Sequence, residues 1–124
     1  MALPDNSATF TVRVIGEVSQ EEYVGEFSCV CVPTAGARNA IIREELRITG
    51  DYENVPGELL VRGRWIANCR GRITSGPIWW KESRGGEDLM DDNVLKEVYD
   101  KALEAESKWR EEVKQKAEAL RQPL

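Results

Sequence analysis

Apolar and polar residues alternate in two runs near the start of the chain, and longer periods take over after them. Phe10, Val12 and Val14 alternate with Thr11, Arg13 and Ile15, which predicts a strand over about 9–18 with one apolar and one mixed face. Residues 1–8 lead into it as a flexible tail. Ser19-Gln20-Glu21-Glu22 reads as a polar connection. A second strand over about 23–32 then places Tyr23, Phe27, Cys29 and Cys31 on one face and Val24, Val30 and Val32 on the other. The two strands together predict an antiparallel hairpin.

Pro33-Thr34 ends the second strand and caps a helix reaching about Ile48, with Ala37, Ile41 and Ile48 near one stripe and Gly50 as its C-terminal stop. A loop over about 51–55 follows. Pro56 suits the first turn of a second helix carrying Leu59, Leu60, Trp65 and Ile66, in which Gly63 is a weak point. Ala67, Cys69, Gly71 and Ile73 alternate with Asn68, Arg70, Arg72 and Thr74, and this period of two predicts a third strand ending before Gly76-Pro77. A last helix starts at about Asp92, with Asp91 or Asp92 as its cap and Val94, Leu95, Val98, Tyr99, Ala102, Leu103 and Trp109 as a broad apolar face. The predicted order is ββααβα. It describes one α+β domain over 1–124, a small antiparallel sheet covered on one face by helices.

Beyond Leu103 the pattern turns to charge. Glu104/Lys108, Glu106/Arg110 and Glu112/Lys116 stand in the i,i+4 order that supports an exposed helix, and the apolar positions thin to Trp109, Val113, Ala117 and Leu120. A helix reaching Leu120 would be roughly 45 Å long, whereas a compact chain of this size is about 35 Å across. The segment over about 104–124 is therefore expected to project or to dock on a partner or a second copy, with Trp109 and Val113 in the contact.

Composition narrows the chemistry. The 124 residues carry no histidine, which removes Ser-His and Cys-His nucleophile pairs and the commonest general base at neutral pH. Carboxylate chemistry is left to Asp88, Asp91 and Asp92 near Glu87, but acidic residues at a helix start already have a capping role. The odd cysteines Cys29, Cys31 and Cys69, without a histidine to complete a zinc site, read as reduced interior thiols. A net charge of −5 opposes attraction to phosphate backbones and anionic lipid. The repeated Arg62-Gly63-Arg64 and Arg70-Gly71-Arg72 beside Trp65 are a weak single-strand-binding pattern and fit better as faces paired with carboxylates. Gly85-Gly86 is a turn without the spacing of a phosphate loop. No cofactor or metal is expected. Met1-Ala2-Leu3-Pro4-Asp5 lacks a basic and apolar leader, and no segment approaches membrane-spanning length, so a cytoplasmic location without membrane contact is expected.

The Trp79-Trp80 pair at the root of the last helix anchors either a core or a partner. In an extended segment neighbours point opposite ways, so at least one is expected inside and the other is a candidate partner anchor.

The segment Gly76-Pro77-Ile78-Trp79-Trp80-Lys81-Glu82-Ser83, with Gly86-Glu87-Asp88-Leu89, Asp91-Asp92-Asn93-Val94 and then Tyr99, Ala102 and Glu106, resembles small morphogenesis proteins of tailed bacteriophages, of the tail-assembly-chaperone kind. Gly16-Glu17, Tyr23-Val24-Gly25-Glu26-Phe27 and the helix over 43–50 keep the same order, so the resemblance covers most of the sequence loosely and its last third best. It implies a non-enzymatic protein that binds other phage proteins, such as a tape-measure or tail-tube subunit, in the infected host cytoplasm. It leaves open a chaperone lost from the particle or a small structural component kept in the virion. A nucleic-acid-binding accessory protein or a carboxylate-dependent enzyme are the readings from other classes.

Overall fold

The computed structural model describes residues 2–50 and 54–121. Strands β1 (Ser7–Ile15) and β2 (Glu22–Val30) form the expected antiparallel hairpin, and β3 (Ile73–Ser75) adds to β2 to give a three-stranded sheet in the order β1-β2-β3. The register pairs Val14 with Tyr23, Val12 with Gly25, Phe10 with Phe27 and Ala8 with Cys29, all on the face turned to the helices. Phe10 and Phe27 stack there with ring centroids 5.1 Å apart. The opposite face carries Thr9, Thr11, Arg13 and Glu26 and stays open to solvent. The expected tail is tied down at Asn6, whose carboxamide bonds both the N–H and the C=O of Val32 at 2.8 and 2.9 Å.

Helix α1 (Ala35–Thr49) begins and ends where the sequence indicates. Thr34 Oγ1 accepts from the Ala37 N–H at 3.2 Å, and Gly50, at φ 73°, donates its N–H to Leu46 O. Side chains strain at such a φ, and glycine does not.

Helix α2 (Gly57–Arg72) corrects the third expected strand. The helix continues through the alternating stretch, leaving only Ile73–Ser75 extended. Ala67, Cys69 and Gly71 carry little side-chain bulk with which to favour a strand, while Gly63, Ile66, Ala67 and Cys69 share a helical period and are buried. The two Arg-Gly-Arg repeats gain a meaning from this. A Cβ at Gly63 would meet Thr49 Cγ2 at 2.7 Å and one at Gly71 would overlap the Ile41 side chain, so the glycines mark the line on which α1 crosses close to α2. The flanking arginines point off that line to carboxylates.

A short helix, α3 (Ile78–Glu82), follows Pro77, a segment expected to be extended. Proline suits the entry because it lacks the N–H that a first turn leaves unpaired. Helix α4 (Asp92–Arg121) is the last element, with 30 residues and a length of about 45 Å at 1.5 Å per residue. Its Val94, Leu95, Val98 and Ala102 are buried against β1, β2 and α2, and Val12, Phe27, Ile66, Cys69, Trp80, Leu95 and Val98 make the core. Trp65 of α2 and Tyr99 of α4 meet at 6.3 Å beside it. The fold is therefore α+β, with α4 packed on β1, β2 and α2, and α1 packed on α2.

Gly71→Ala is expected to destabilise by about 1–3 kcal/mol through overpacking against Ile41. Gly36→Ala, in a helix with open space around its Cβ, should stabilise by about 0.4–1 kcal/mol. Urea midpoints of the two variants beside the parent check both signs.

Candidate interaction surface

The orientation of α4 is set at its first turn by a carboxylate. Asp91 is fully buried, and its Oδ1 accepts from the Val18 and Ser19 N–H groups at 2.6 and 3.0 Å while Oδ2 accepts from Ser19 Oγ at 2.6 Å. This corrects the expected cap: the Asp91 side chain serves the β1–β2 turn, and only its backbone carbonyl receives helical N–H groups, from Val94 and Leu95. Asp92 pairs instead with Arg62 at 2.9 Å. Gly16 makes room for the clamp, since a Cβ there would overlap the Asp91 carboxyl. Asn93 adds a second fastening, donating from Nδ2 to Ile15 O at 2.9 Å and accepting from the Glu17 N–H at 3.0 Å.

From that turn α4 runs back along β1. Arg72, largely buried, donates to Glu106 at 2.7 Å and so joins the end of α2 to the middle of α4. The Trp109 indole N–H donates to Pro4 O at 3.3 Å, which pins the helix to the residues that precede β1. Between these fastenings lies a groove of about 370 Å³. One wall is β1 from Ser7 to Thr11, and the other is the face of α4 bearing Lys101, Glu104, Ala105, Lys108, Trp109 and Glu112. Past Trp109 the polar contacts of α4 among the described residues stay within the helix, as in Glu112–Lys116 at 3.3 Å and Gln115–Glu111. The fastening of α4 to the rest of the protein thus reaches Trp109, about a turn past position 104. Val113 and Ala117 are half-buried on the same stripe as Trp109, and Leu120 is 69% exposed.

Trp80 is the member of the tryptophan pair buried in the core, as expected of at least one of them, which removes it from the candidate partner residues. Trp79 is half-buried, lies edge-on to Tyr23 and Phe27 at 5.0 and 5.6 Å, and donates its N–H to Val24 O at 3.0 Å. Consecutive residues of a helix diverge by about 100° instead of 180°, which lets both indoles flank Phe27. The residue that faces outward is Ile78, 71% exposed. Trp109 and Val113 are half-buried along one side of α4, Trp109 at the rim of the groove.

The arginines are structural. Arg62 pairs with Glu58 and Asp92, Arg64 with Glu45, Arg70 with Glu44 and Glu87, and Arg72 with Glu106. Arg70 also donates to Arg84 O, drawing the turn of residues 83–86 onto α2. These pairs use up the carboxylates offered for acid–base work: Glu87 faces Arg70 and Asp88 faces Arg84 at 2.7 Å. The cysteines are buried free thiols, and burial pushes all of their pKa values up, Cys69 furthest. Among the described residues no cluster of three or more metal-ligating side chains occurs, and no helix is long and apolar enough to cross a membrane. No family model, curated protein or solved structure matches the sequence.

Sequence reasoning missed the groove because its walls are nearly 100 residues apart. A signal was present in Asn93, whose amide does not follow from capping alone when Asp91 and Asp92 precede it.

The Ser19 hydroxyl, followed by the Ser19 and Val18 N–H groups, holds the Asp91 carboxyl below the usual range against the effect of burial. Arg47 and then Arg70 hold Glu44 down to about 2. A depressed folded-state pKa adds stability that is complete above the unfolded value, about 4, and is lost as pH falls through the folded value. Urea midpoints should therefore decline as pH falls below about 4, and Asp91→Asn should be less stable at neutral pH with a shallower acid decline. Trp79→Ala should cost about 3–5 kcal/mol in the same assay, as expected of a packed aromatic and not of a free anchor.

Proposed function

We propose that this protein is a non-enzymatic assembly factor that works by binding other proteins, in the manner of a tail-assembly chaperone of tailed bacteriophages. The observation that carries the reading is the end of α4, which extends past Trp109 with Val113, Ala117 and Leu120 along one side and, among the described residues, with polar contacts only within the helix. A helical stripe of this width suits a groove or a second helix on a partner. The acidic balance, the paired arginines and the engaged carboxylates support protein binding over nucleic-acid binding or carboxylate catalysis. The resemblance of residues 76–83 and their surroundings to phage morphogenesis proteins supports the setting, with a tape-measure or tail-tube subunit as partner and the host cytoplasm as the place of action.

Replacing Val113, Ala117 and Leu120 together by Asp keeps the charge-rich helix but removes its apolar stripe. The variant should retain the parent's circular dichroism and melting temperature and lose co-purification of tail proteins from infected cells. Unchanged capture overturns the reading. Mass spectrometry of purified particles beside infected-cell lysate separates the two forms of the proposal. A chaperone is present in lysate and absent from particles, and a virion component is present in both.

A further inference from the structure

Antiparallel pairing fixes which backbone groups of β1 are free. Residues directly opposite alternate between pairs that exchange both hydrogen bonds and pairs that exchange none. Gly16 donates to Glu21 O at 2.9 Å and Cys31 to Asn6 O at 3.2 Å, so the even-numbered residues of β1 are the ones bonded to β2. Ser7, Thr9, Thr11, Arg13 and Ile15 therefore turn their N–H and C=O away from the sheet. At the turn end Asn93 already meets that row, giving and accepting one bond at Ile15 and Glu17 as a neighbouring strand would. Among the described residues nothing bonds the outward groups of Ser7, Thr9 and Thr11. Within the strand itself nothing blunts this edge, for Ser7-Ala8-Thr9-Phe10-Thr11-Val12 contains no proline, no charge and no bulge, and α4 stands off from it across the groove.

The facing wall of the groove indicates what pairs there. Lys101, Glu104, Lys108 and Glu112 alternate in sign along α4. A half-turn about an axis near position 106 sets Lys101 against the partner's Glu112 and Glu104 against the partner's Lys108. The same half-turn, passing through Thr9, sets Thr9 against the partner's Thr9 and Ser7 against the partner's Thr11, each a pair able to exchange both backbone bonds. Within one protomer these charges pair only along the helix, Glu104 with Lys108 at 3.2 Å and Lys101 at 3.9 Å and Glu112 with Lys116 at 3.3 Å. Such exposed pairs are worth little and can exchange for partners across the half-turn. A strand from an unrelated protein would satisfy the edge without using this sign order. One symmetric contact satisfies both.

We propose that the protein forms a twofold dimer through the free edge of β1 and residues 101–112 of α4, joining two three-stranded sheets into one. The contact leaves the two α4 tips, from Val113 onward, at opposite ends of the dimer, and it does not depend on the identity of any phage partner.

Sedimentation equilibrium of the full-length protein should give twice the monomer mass, with affinity falling as salt rises. Lys101→Glu should weaken the dimer roughly tenfold or more, and adding Glu112→Lys should restore it. Positions 101 and 112 are about 16 Å apart along one helix, so the rescue cannot come from within one protomer. Thr9→Pro, which removes an outward N–H, should give a monomer with the parent's circular dichroism; if that variant does not fold, the charge pair decides. A monomer at every concentration, or a dimer that the second charge change fails to restore, overturns the proposal. So does a monomer that instead takes up an extended peptide along β1.

Discussion

A carboxylate with no access to water must have its charge met inside the protein, and Asp91 meets this by binding two backbone N–H groups and a hydroxyl of a turn more than 70 residues earlier. The requirement acts in both directions. The turn over residues 16–21 closes on its own backbone bonds but leaves the Val18 and Ser19 N–H groups for Asp91 to accept, and that acceptance ties the start of α4 to the turn. Once the two are joined, the direction of α4 across the sheet follows. So does the burial of Val94, Leu95 and Val98 and the distance from α4 to the edge of β1. Gly16 belongs to the same constraint because only the smallest residue lets the turn come so near.

Arginine supplies the complementary ties. Arg70 holds α1 and the turn before α4 against α2, and Arg72 holds the end of α2 against α4. Arg70 is partly accessible, so its pairs add orientation more than stability. Arg72 is buried, with bonds to Glu106, Asn68 and Cys31 O, and removing one partner would strand a charge. Burial pushes the Glu106 carboxyl up, and Arg72 and Arg110 together draw it below its ordinary value. An arginine repeat that resembles a nucleic-acid surface in the sequence thus serves helix packing, with glycine at each contact and arginine on either side.

Features that depend on local chemistry were legible in the sequence. The hairpin faces, the Thr34 cap, the Gly50 stop and the length of α4 each follow from a few neighbouring residues. Features set by distant partners were not. Ala67, Cys69 and Gly71 are small enough to satisfy either a period of two or a helix, and the choice was made by Ile41 and Thr49 packing on the glycine line. Asp91 had every local reason to cap a helix, and a turn far upstream claimed its side chain. The tryptophans were read on an extended backbone, and a short helix begun by Pro77 folded both toward Phe27. Of the candidate contact residues, Trp109 and Val113 kept the place that helical spacing gave them.

The fastening of Asn93 to Ile15 and Glu17 spans 76–78 positions of the sequence. At a synthesis rate of about 5–20 residues per second, β1 waits roughly 4–16 s between its own emergence and that of the helix that will lie beside it. For that interval the hairpin stands on the ribosome with the apolar face of Val12 and Phe27 not yet covered by Leu95 and Val98. The late arrival of α4 therefore sets a period in which contacts of that bare face with other chains compete with completion of the fold.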